Sequence, residues 1–186
     1  MLRFASNTAV RCETADAELD TQLRQIASAD RNALEQLYRS TQASVYGFAL
    51  SILKNTHDAE DVLHDCYVAV WNNAAGYRSQ GKPLAWLLTI TRNLCLQHMR
   101  TQGKQADIAP ENWEPFLAGK EEVTMEDRSI LRACMEQLSD QERQIVTLHA
   151  LSGFKHREIA ELLQMPLATV LSKYHRAVKR LRQHLQ

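Results

Sequence analysis

The sequence predicts an all-α protein built as two small helical bundles joined by a flexible acidic linker, the second bundle containing a helix-turn-helix. Apolar residues recur at helical spacing almost throughout the 186 residues. The net charge is zero, but the charges are unevenly distributed. By segment, the net formal charge is +1 over residues 1–104, −5 over residues 105–137 and +4 over residues 138–186. The acidic middle segment holds two prolines and two glycines between residues 103 and 123, which is typical of a connector.

These patterns predict four segments. They are a flexible N-terminus over residues 1–14, a first bundle over 15–102, an acidic linker over 103–124 and a second bundle over 125–186.

In the first bundle, hydrophobic periodicity predicts helices over Ala15–Ser28, Ala29–Lys54, Thr56–Asn73 and Pro83–Thr101. Asn55-Thr56 should break the chain, with Thr56 as the N-cap of the third helix. The segment Asn72–Pro83 is polar and contains two glycines, so it should form a loop before the fourth helix. The second helix should bury Leu34, Leu37, Val45, Phe48, Ala49 and Ile52.

In the second bundle, helices are predicted over Thr124–Gln137, from Ser139 to about Leu151, over Lys155–Leu163 and over Leu167–Leu185. Ser139 and Glu142 have the spacing of a capping box, and Ser152-Gly153 should end the helix that it starts.

The last helix has the composition of a DNA-reading element, because it carries five cations and no acid. At 3.6 residues per turn, its inward face comprises Val170, Tyr174, Ala177 and Leu181. Its outward face comprises the candidate DNA-binding residues Thr169, Ser172, Lys173, Arg176 and Arg180. Arg157, on the preceding helix, is placed to contact a phosphate. An ordinary amphipathic surface helix is the alternative.

Several other classes of function are disfavoured. There is no apolar run near the roughly 18 residues of a membrane span and no signal-peptide pattern, so we expect a cytoplasmic protein without direct membrane insertion. The four cysteines form no CxxC pair; we expect reduced thiols, with Cys66 and Cys95 buried. No phosphate-binding loop, GxSxG or HExxH motif occurs, and the seven histidines do not cluster with acids or cysteines. We therefore expect no catalytic residues, no metal, no cofactor and no enzyme activity.

Ordered sequence blocks then carry a family resemblance. In the first bundle they are Asp58-Ala-Glu-Asp-Val62, Trp71, Lys82-Pro-Leu-Ala-Trp-Leu87, Ile90-Thr-Arg-Asn93 and Arg100. In the second they are Leu138-Ser139, Glu142-Arg143, Arg157-Glu-Ile-Ala160, Thr169-Val170, Ser172 and His175-Arg-Ala177. In this order and spacing they resemble the bacterial RNA polymerase sigma factors of the extracytoplasmic-function (ECF) group, over about residues 20–102 and 125–184.

The resemblance implies two partners, core RNA polymerase and promoter DNA. The first bundle would bind the polymerase and recognise and melt the minus-ten element, and the second would read the minus-thirty-five element. Asp58, Asp61 and Asp65 lie at i, i+3 and i+7, so they form one acidic stripe. Alone such a stripe is typical of a solvated face; the resemblance makes it the polymerase-docking surface.

For DNA contact in the first bundle, the polar strip of Arg92, Asn93, Gln97 and Arg100 lies in a stretch with no acid. The resemblance implies that the preceding loop captures a flipped base, and Tyr77 could stack on it. We expect Trp86 to support the core rather than to stack on DNA.

The resemblance also implies an anti-sigma factor as a partner and a linker that runs toward the polymerase active centre; an ordinary solubilising linker is the alternative. Three residues depart from the family pattern. Gln164 stands where a turn glycine is common, Leu171 replaces a basic residue and Lys173 replaces an arginine, which weakens the case for minus-thirty-five readout.

Two other functions explain part of the sequence. A helix-turn-helix regulator that is not a polymerase subunit would explain the last helix but not the first-bundle blocks. A helical adaptor that never contacts DNA would leave the basic, acid-free helix unexplained.

Overall fold

The computed structural model describes residues 5–101 and 133–184, and it describes side chains within 15–101 and 133–183. All regular structure in these ranges is helical. The helices are α1 (Ala5–Ala27), α2 (Arg31–Leu53), α3 (Thr56–Asn73), α4 (Pro83–Thr101), α5 (Asp140–Ala150), α6 (His156–Leu163) and α7 (Leu167–His184), with a 3₁₀ turn at Ala74–Gly76. The predicted linker and most of the helix predicted over Thr124–Gln137 lie outside the described residues, although residues 133–136 are helical.

Helices α1–α4 form the first bundle, in which α2, α3 and α4 pack on one another and α1 packs mainly on α2. Its core is apolar and closely packed, since Phe48, Leu37 and Leu87 are fully buried. Burying each such side chain stabilises the fold by roughly 1.5–3 kcal/mol. The predicted burial of Cys66 and Cys95 is confirmed. Burial raises the pKa of these thiols to about 11 and about 12, so both remain neutral near pH 7.

The ends of these helices differ from the sequence prediction in three places. The N-cap of α3 is Asn55 rather than Thr56: its Oδ1 accepts hydrogen bonds from the amides of His57 (2.9 Å) and Asp58 (3.2 Å). Residues 5–14, predicted to be a flexible terminus, belong to α1. Helix α2 begins two residues later than predicted, because Asp30 serves as its N-cap.

Helices α5–α7 form the second bundle. The predicted capping box is present at the start of α5. The inward face predicted for the last helix is confirmed by the complete burial of Val170 and Ala177. Gln164 follows α6 with φ +56°, in the left-handed region that favours glycine, as its departure from the family pattern suggested.

The two bundles contact each other: α5 packs on α2, and α6 lies beside the start of α4. Ion pairs bridge the contact, one of them between Lys54 Nζ and Asp140 Oδ1 at 2.5 Å. Among the described residues, no helix is long and apolar enough to cross a membrane.

Candidate polymerase-docking and nucleic-acid interfaces

The acidic stripe lies on α3, opposite a buried apolar face. Val62, Cys66 and Val70 are at most 1% exposed, as predicted, and this places Asp61 and Asp65 on the outer surface. Asp58 is half-buried, and its Oδ1 lies 3.2 Å from Nε2 of His98 on α4. The stripe is therefore divided: Asp58 connects α3 to α4, while Asp61 and Asp65 are exposed.

Sequence reasoning missed an apolar member of this surface. Val68 lies three residues after Asp65 and is 59% exposed. A single exposed apolar side chain is common on protein surfaces, but its position beside two exposed carboxylates allows it to add apolar contact to a charged surface. The interruption of the apolar period of α3 by an outward-facing valine was the available signal.

The predicted polar strip lies on the second half of α4. Asn93, Gln97 and Arg100 are exposed and Arg92 is half-buried. Thr91 and Cys95, on the opposite face of α4, are buried. Met99, which sequence reasoning did not select, is 52% exposed beside Arg100. The strip therefore offers amide, guanidinium and apolar groups to a ligand on one face.

Tyr77 is placed differently from its predicted role. Its side chain is buried, its hydroxyl donates to Asp20 Oδ1 at 2.9 Å, and its ring meets Trp86 edge-on with centroids 5.0 Å apart. Burial and the Asp20 contact raise its pKa to about 12. Tyr77 thus attaches the loop to α1 and α4, and its ring face is not exposed for a base. Trp86 is half-buried and packs against the hydrophobic core, as expected.

On α7 the predicted DNA-facing residues share an outward face. Ser172, Arg176 and Arg180 are exposed, whereas Thr169 and Lys173 are half-buried. Arg157 is exposed on α6. Ser172 donates its hydroxyl proton to the carbonyl of Thr169 at 3.0 Å, which fixes its side chain near the start of the helix.

A buried carboxylate supports this face from behind. Glu142 is 3% exposed, and its Oε2 lies 2.7 Å from Arg180 Nη1 and from Ser139 Oγ. Arg176 Nε lies farther away, at 4.0 Å. Burial alone would raise the pKa of Glu142, but the Ser139 hydrogen bonds and the two arginine charges outweigh it and lower the pKa. The sequence showed the capping box but not this second role.

The turn between α5 and α6 gathers aromatic and imidazole rings that the sequence did not group. His149 and His156 stack with centroids 4.7 Å apart, and Tyr174 meets both edge-on. His156 Nε2 is buried and has no hydrogen-bond partner in the described structure. No set of three or more metal-ligating side chains occurs within the described ranges.

Comparison with known proteins identifies the family. Sigma-70 region 2 matches residues 37–105, and Sigma-70, region 4 matches residues 128–181. The chain is 31% identical over 186 residues to the ECF RNA polymerase sigma factor SigK of Mycolicibacterium vanbaalenii, covering 95% of this chain and 94% of that one. The chain belongs to the ECF RNA polymerase sigma factors. SigK of Mycobacterium bovis is 28% identical over 89% of this chain and 92% of its own length.

Two solved structures share the fold of this sigma factor. CnrH, in complex with the cytosolic domain of CnrY, superposes with a TM-score of 0.62 at 21% identity, over 90% of this chain and 97% of that one. The sigma factor RpoE of Bartonella quintana, in complex with the anti-sigma factor NepR, gives 0.64 at 23% identity, over 81% and 95%. As an ECF sigma factor, the protein directs RNA polymerase to promoters.

Proposed function

We propose how the two bundles divide this work. Residues 15–102 act as region 2, which docks on core polymerase and melts the minus-ten element. Residues 125–186 act as region 4, which reads the minus-thirty-five element, and residues 103–124 connect the two regions. One observation carries the proposal: the described structure separates an exposed acidic surface on α3 from acid-free polar surfaces on α4 and α7.

The docking surface is Asp61, Asp65 and Val68. The two carboxylates are exposed on α3, and the exposed valine lies beside them. Opposite charges on a polymerase surface would guide the encounter, and burial of Val68 would add apolar contact. Asp58 supports this surface indirectly, because its contact with His98 links α3 to α4.

For minus-ten recognition we propose Arg92, Asn93, Gln97 and Arg100. The amides of Asn93 and Gln97 can pair with base edges, and the guanidinium groups can hold phosphates. We leave Tyr77 out of this set, since its ring is buried against Trp86.

For minus-thirty-five recognition, the start of α7 would enter the major groove. Thr169, Ser172 and Lys173 lie nearest that end, and Arg176 follows one turn later. Arg157 would hold a phosphate from α6. Arg180 is less available for DNA contact, because its guanidinium group is paired with Glu142.

We further propose that the protein acts without catalysis of its own, in the cytoplasm where the polymerase works. An anti-sigma factor is a proposed partner, because both solved structures of similar fold are complexes with another chain, named in one case as an anti-sigma factor.

Run-off transcription tests the function directly. Core polymerase with this protein, over a promoter library, should yield transcripts from a defined subset of promoters, and core polymerase alone should not. Tight sequence-specific duplex binding by the isolated protein, without any gain in promoter-dependent transcription, would instead favour the helix-turn-helix regulator.

A further inference from the structure

Asp20 on α1 joins the loop before α4 to the body of the first bundle. Its Oδ1 accepts a hydrogen bond from the Tyr77 hydroxyl at 2.9 Å, and its Oδ2 lies 2.5 Å from Nη2 of Arg24, one turn further along α1. The hydroxyl of Ser79, two residues after Tyr77, also donates to this carboxylate. We call Asp20, Tyr77 and Ser79 the loop clasp.

The carboxylate of Asp20 is charged within the clasp. Its side chain is 13% exposed, whereas that of Arg24 is 68% exposed. The hydrogen bond from Ser79 lowers the pKa of Asp20; burial opposes this shift, and Tyr77 and Arg24 add to the lowering. Because hydrogen bonds to an ionised acceptor are stronger than those to a neutral one, the clasp holds the loop more firmly than neutral side chains would.

The clasp fixes the beginning of the loop in one arrangement. Helix α1 packs on the 3₁₀ turn Ala74–Gly76, and the Tyr77 amide donates to the carbonyl of Ala74 at 3.0 Å. The ring of Tyr77 also meets Trp86 of α4, and the Tyr77 carbonyl accepts a hydrogen bond from Nη1 of Arg78 at 3.2 Å. The position of Tyr77 therefore determines where the exposed residues that follow it lie.

The exposed part of this loop extends the surface proposed for the minus-ten element. Arg78 and Gln80 are exposed and line the same cleft as Thr89 of α4. Thr89 is exposed one helical turn before Asn93, so the two residues share a face of α4. The sequence from residue 66 to residue 106 contains no Asp or Glu, so this stretch supplies no carboxylate that would repel a phosphate. A DNA strand that lies along Asn93 and Thr89 would therefore meet Arg78 and Gln80 next.

We propose that Asp20 is a positioning residue for minus-ten selectivity, because it holds Tyr77 and so keeps Arg78 and Gln80 beside Thr89. A guanidinium and an amide held in one geometry discriminate between bases, whereas the same groups on an unrestrained loop can adjust to several. Asp20 itself touches no DNA and acts through the loop. It lies before the part of the chain that matches Sigma-70 region 2, which begins at residue 37. The proposal deepens the minus-ten role proposed above and rests on it.

Hydrogen exchange at the Tyr77 amide in the free full-length protein tests the clasp without DNA or polymerase. In Asp20→Ala this amide should exchange about ten-fold faster than in the wild type, because the loop opens more often once a charged acceptor is lost. Asp20→Asn keeps an acceptor oxygen and should restore most of the protection. Glu35→Ala is the matched control, because Glu35 pairs with Arg39 four residues later on α2, as Asp20 does with Arg24 on α1.

Promoter selectivity tests the positioning role in the complete polymerase complex. The strongest promoter of the library is compared, at saturating protein, with versions that carry one changed base in the minus-ten element. The ratio of transcript yields, original to changed, should fall about five-fold in Asp20→Ala and remain near the wild-type ratio in Asp20→Asn. A merely structural role would lower all yields together and leave this ratio unchanged.

The tyrosine partner offers an independent variant. Tyr77→Phe removes only the hydroxyl, so it should shift the transcript ratio in the same direction as Asp20→Ala, and combining the two changes should add little. Tyr46→Phe is the matched control, because the buried Tyr46 hydroxyl has no hydrogen-bond partner in the described structure.

Each outcome has a distinct meaning for the proposal. Equal exchange at the Tyr77 amide in the wild type and in Asp20→Ala would overturn the clasp. Faster exchange with an unchanged transcript ratio would overturn the positioning role. An Asp20→Asn variant as impaired as Asp20→Ala would show that the hydrogen bond is not its basis. Wild-type protein that yields no promoter-dependent transcripts would instead refute the proposed function, while the exchange rates still report on the clasp.

Discussion

Arg180 donates a 2.7 Å hydrogen bond from Nη1 to Oε2 of Glu142, a carboxylate whose side chain is only 4% exposed. Arg176, one turn earlier, reaches only 4.0 Å from the same carboxylate and keeps 59% of its side chain exposed. Two arginines that look equivalent in the sequence therefore have different surroundings, and they should respond differently to substitution.

Arg176→Ala should reduce promoter use while leaving stability nearly unchanged. The cost should be about 1–3 kcal/mol if Arg176 forms a bidentate pair with guanine. Arg180→Ala should lower stability as well, because it removes a partner of a buried carboxylate. Thermal unfolding and transcription from several minus-thirty-five variants at two salt concentrations measure both effects. Equal loss of stability in the two variants would contradict the distinction.

Charge reversal at Asp61 and Asp65 should weaken association with core polymerase without changing helical content. Both side chains are exposed on α3, so their loss leaves no buried group unpaired. Binding is measured by fluorescence anisotropy, and circular dichroism checks the fold. Arg39→Glu on α2 changes charge at a similarly exposed site as a control. Wild-type affinity in the double variant would remove the docking assignment.

Alanine at both Arg92 and Asn93 should impair promoter opening. The measurement is permanganate reactivity of unpaired thymines in the polymerase complex. The chain offers a matched control, because Arg31-Asn32 is the same pair of residue types, exposed at the start of α2. Normal reactivity in the Arg92/Asn93 variant would place the melting surface on another face.

Much of the fold follows from local sequence signals. The helical spacing of apolar residues predicted the buried faces of α3 and α7, and the capping box predicted the start of α5. Both features depend only on residues within one or two helical turns. The left-handed conformation of Gln164 was suggested only by the family resemblance, since glycine is common at that turn position.

The contacts that were missed join residues far apart in the chain. Glu142 meets Arg180 across 38 positions, and Tyr77 meets Asp20 across 57. Periodicity describes which face of a helix is buried, not which neighbour it meets. The sequence therefore placed Tyr77 correctly in a loop but could not show that its ring is buried.

Gln164→Gly should stabilise the second bundle by about 1 kcal/mol. Gln164 has φ +56°, where a side chain strains the backbone and glycine does not. Gln164→Ala separates this effect from loss of the side chain, and it should bring no gain. Chemical denaturation measures both. An unchanged midpoint for Gln164→Gly would show that the turn is relaxed with glutamine in place.

The last prediction concerns acid sensitivity of the turn before α6. His156 is half-buried, and burial, followed by the nearby His149 and His175, lowers its pKa below the ordinary 6.5. Protonation would leave a buried N–H without a partner and place a positive charge at the start of a helix, where the dipole is also positive.

The folded protein therefore binds this proton less readily than the unfolded chain. The neutral form of His156 therefore stabilises the folded state above pH 6.5, and this stabilisation is lost as the pH falls through and below that value. The unfolding midpoint, measured from pH 8 to pH 5.5, should drop more for the wild type than for His156→Gln. His57→Gln, at an exposed histidine near the start of α3, should retain the wild-type dependence. If all three curves run parallel, the histidine cluster does not control acid sensitivity in this range. Glu142 would contribute only at more acidic pH, because its pKa is lowered.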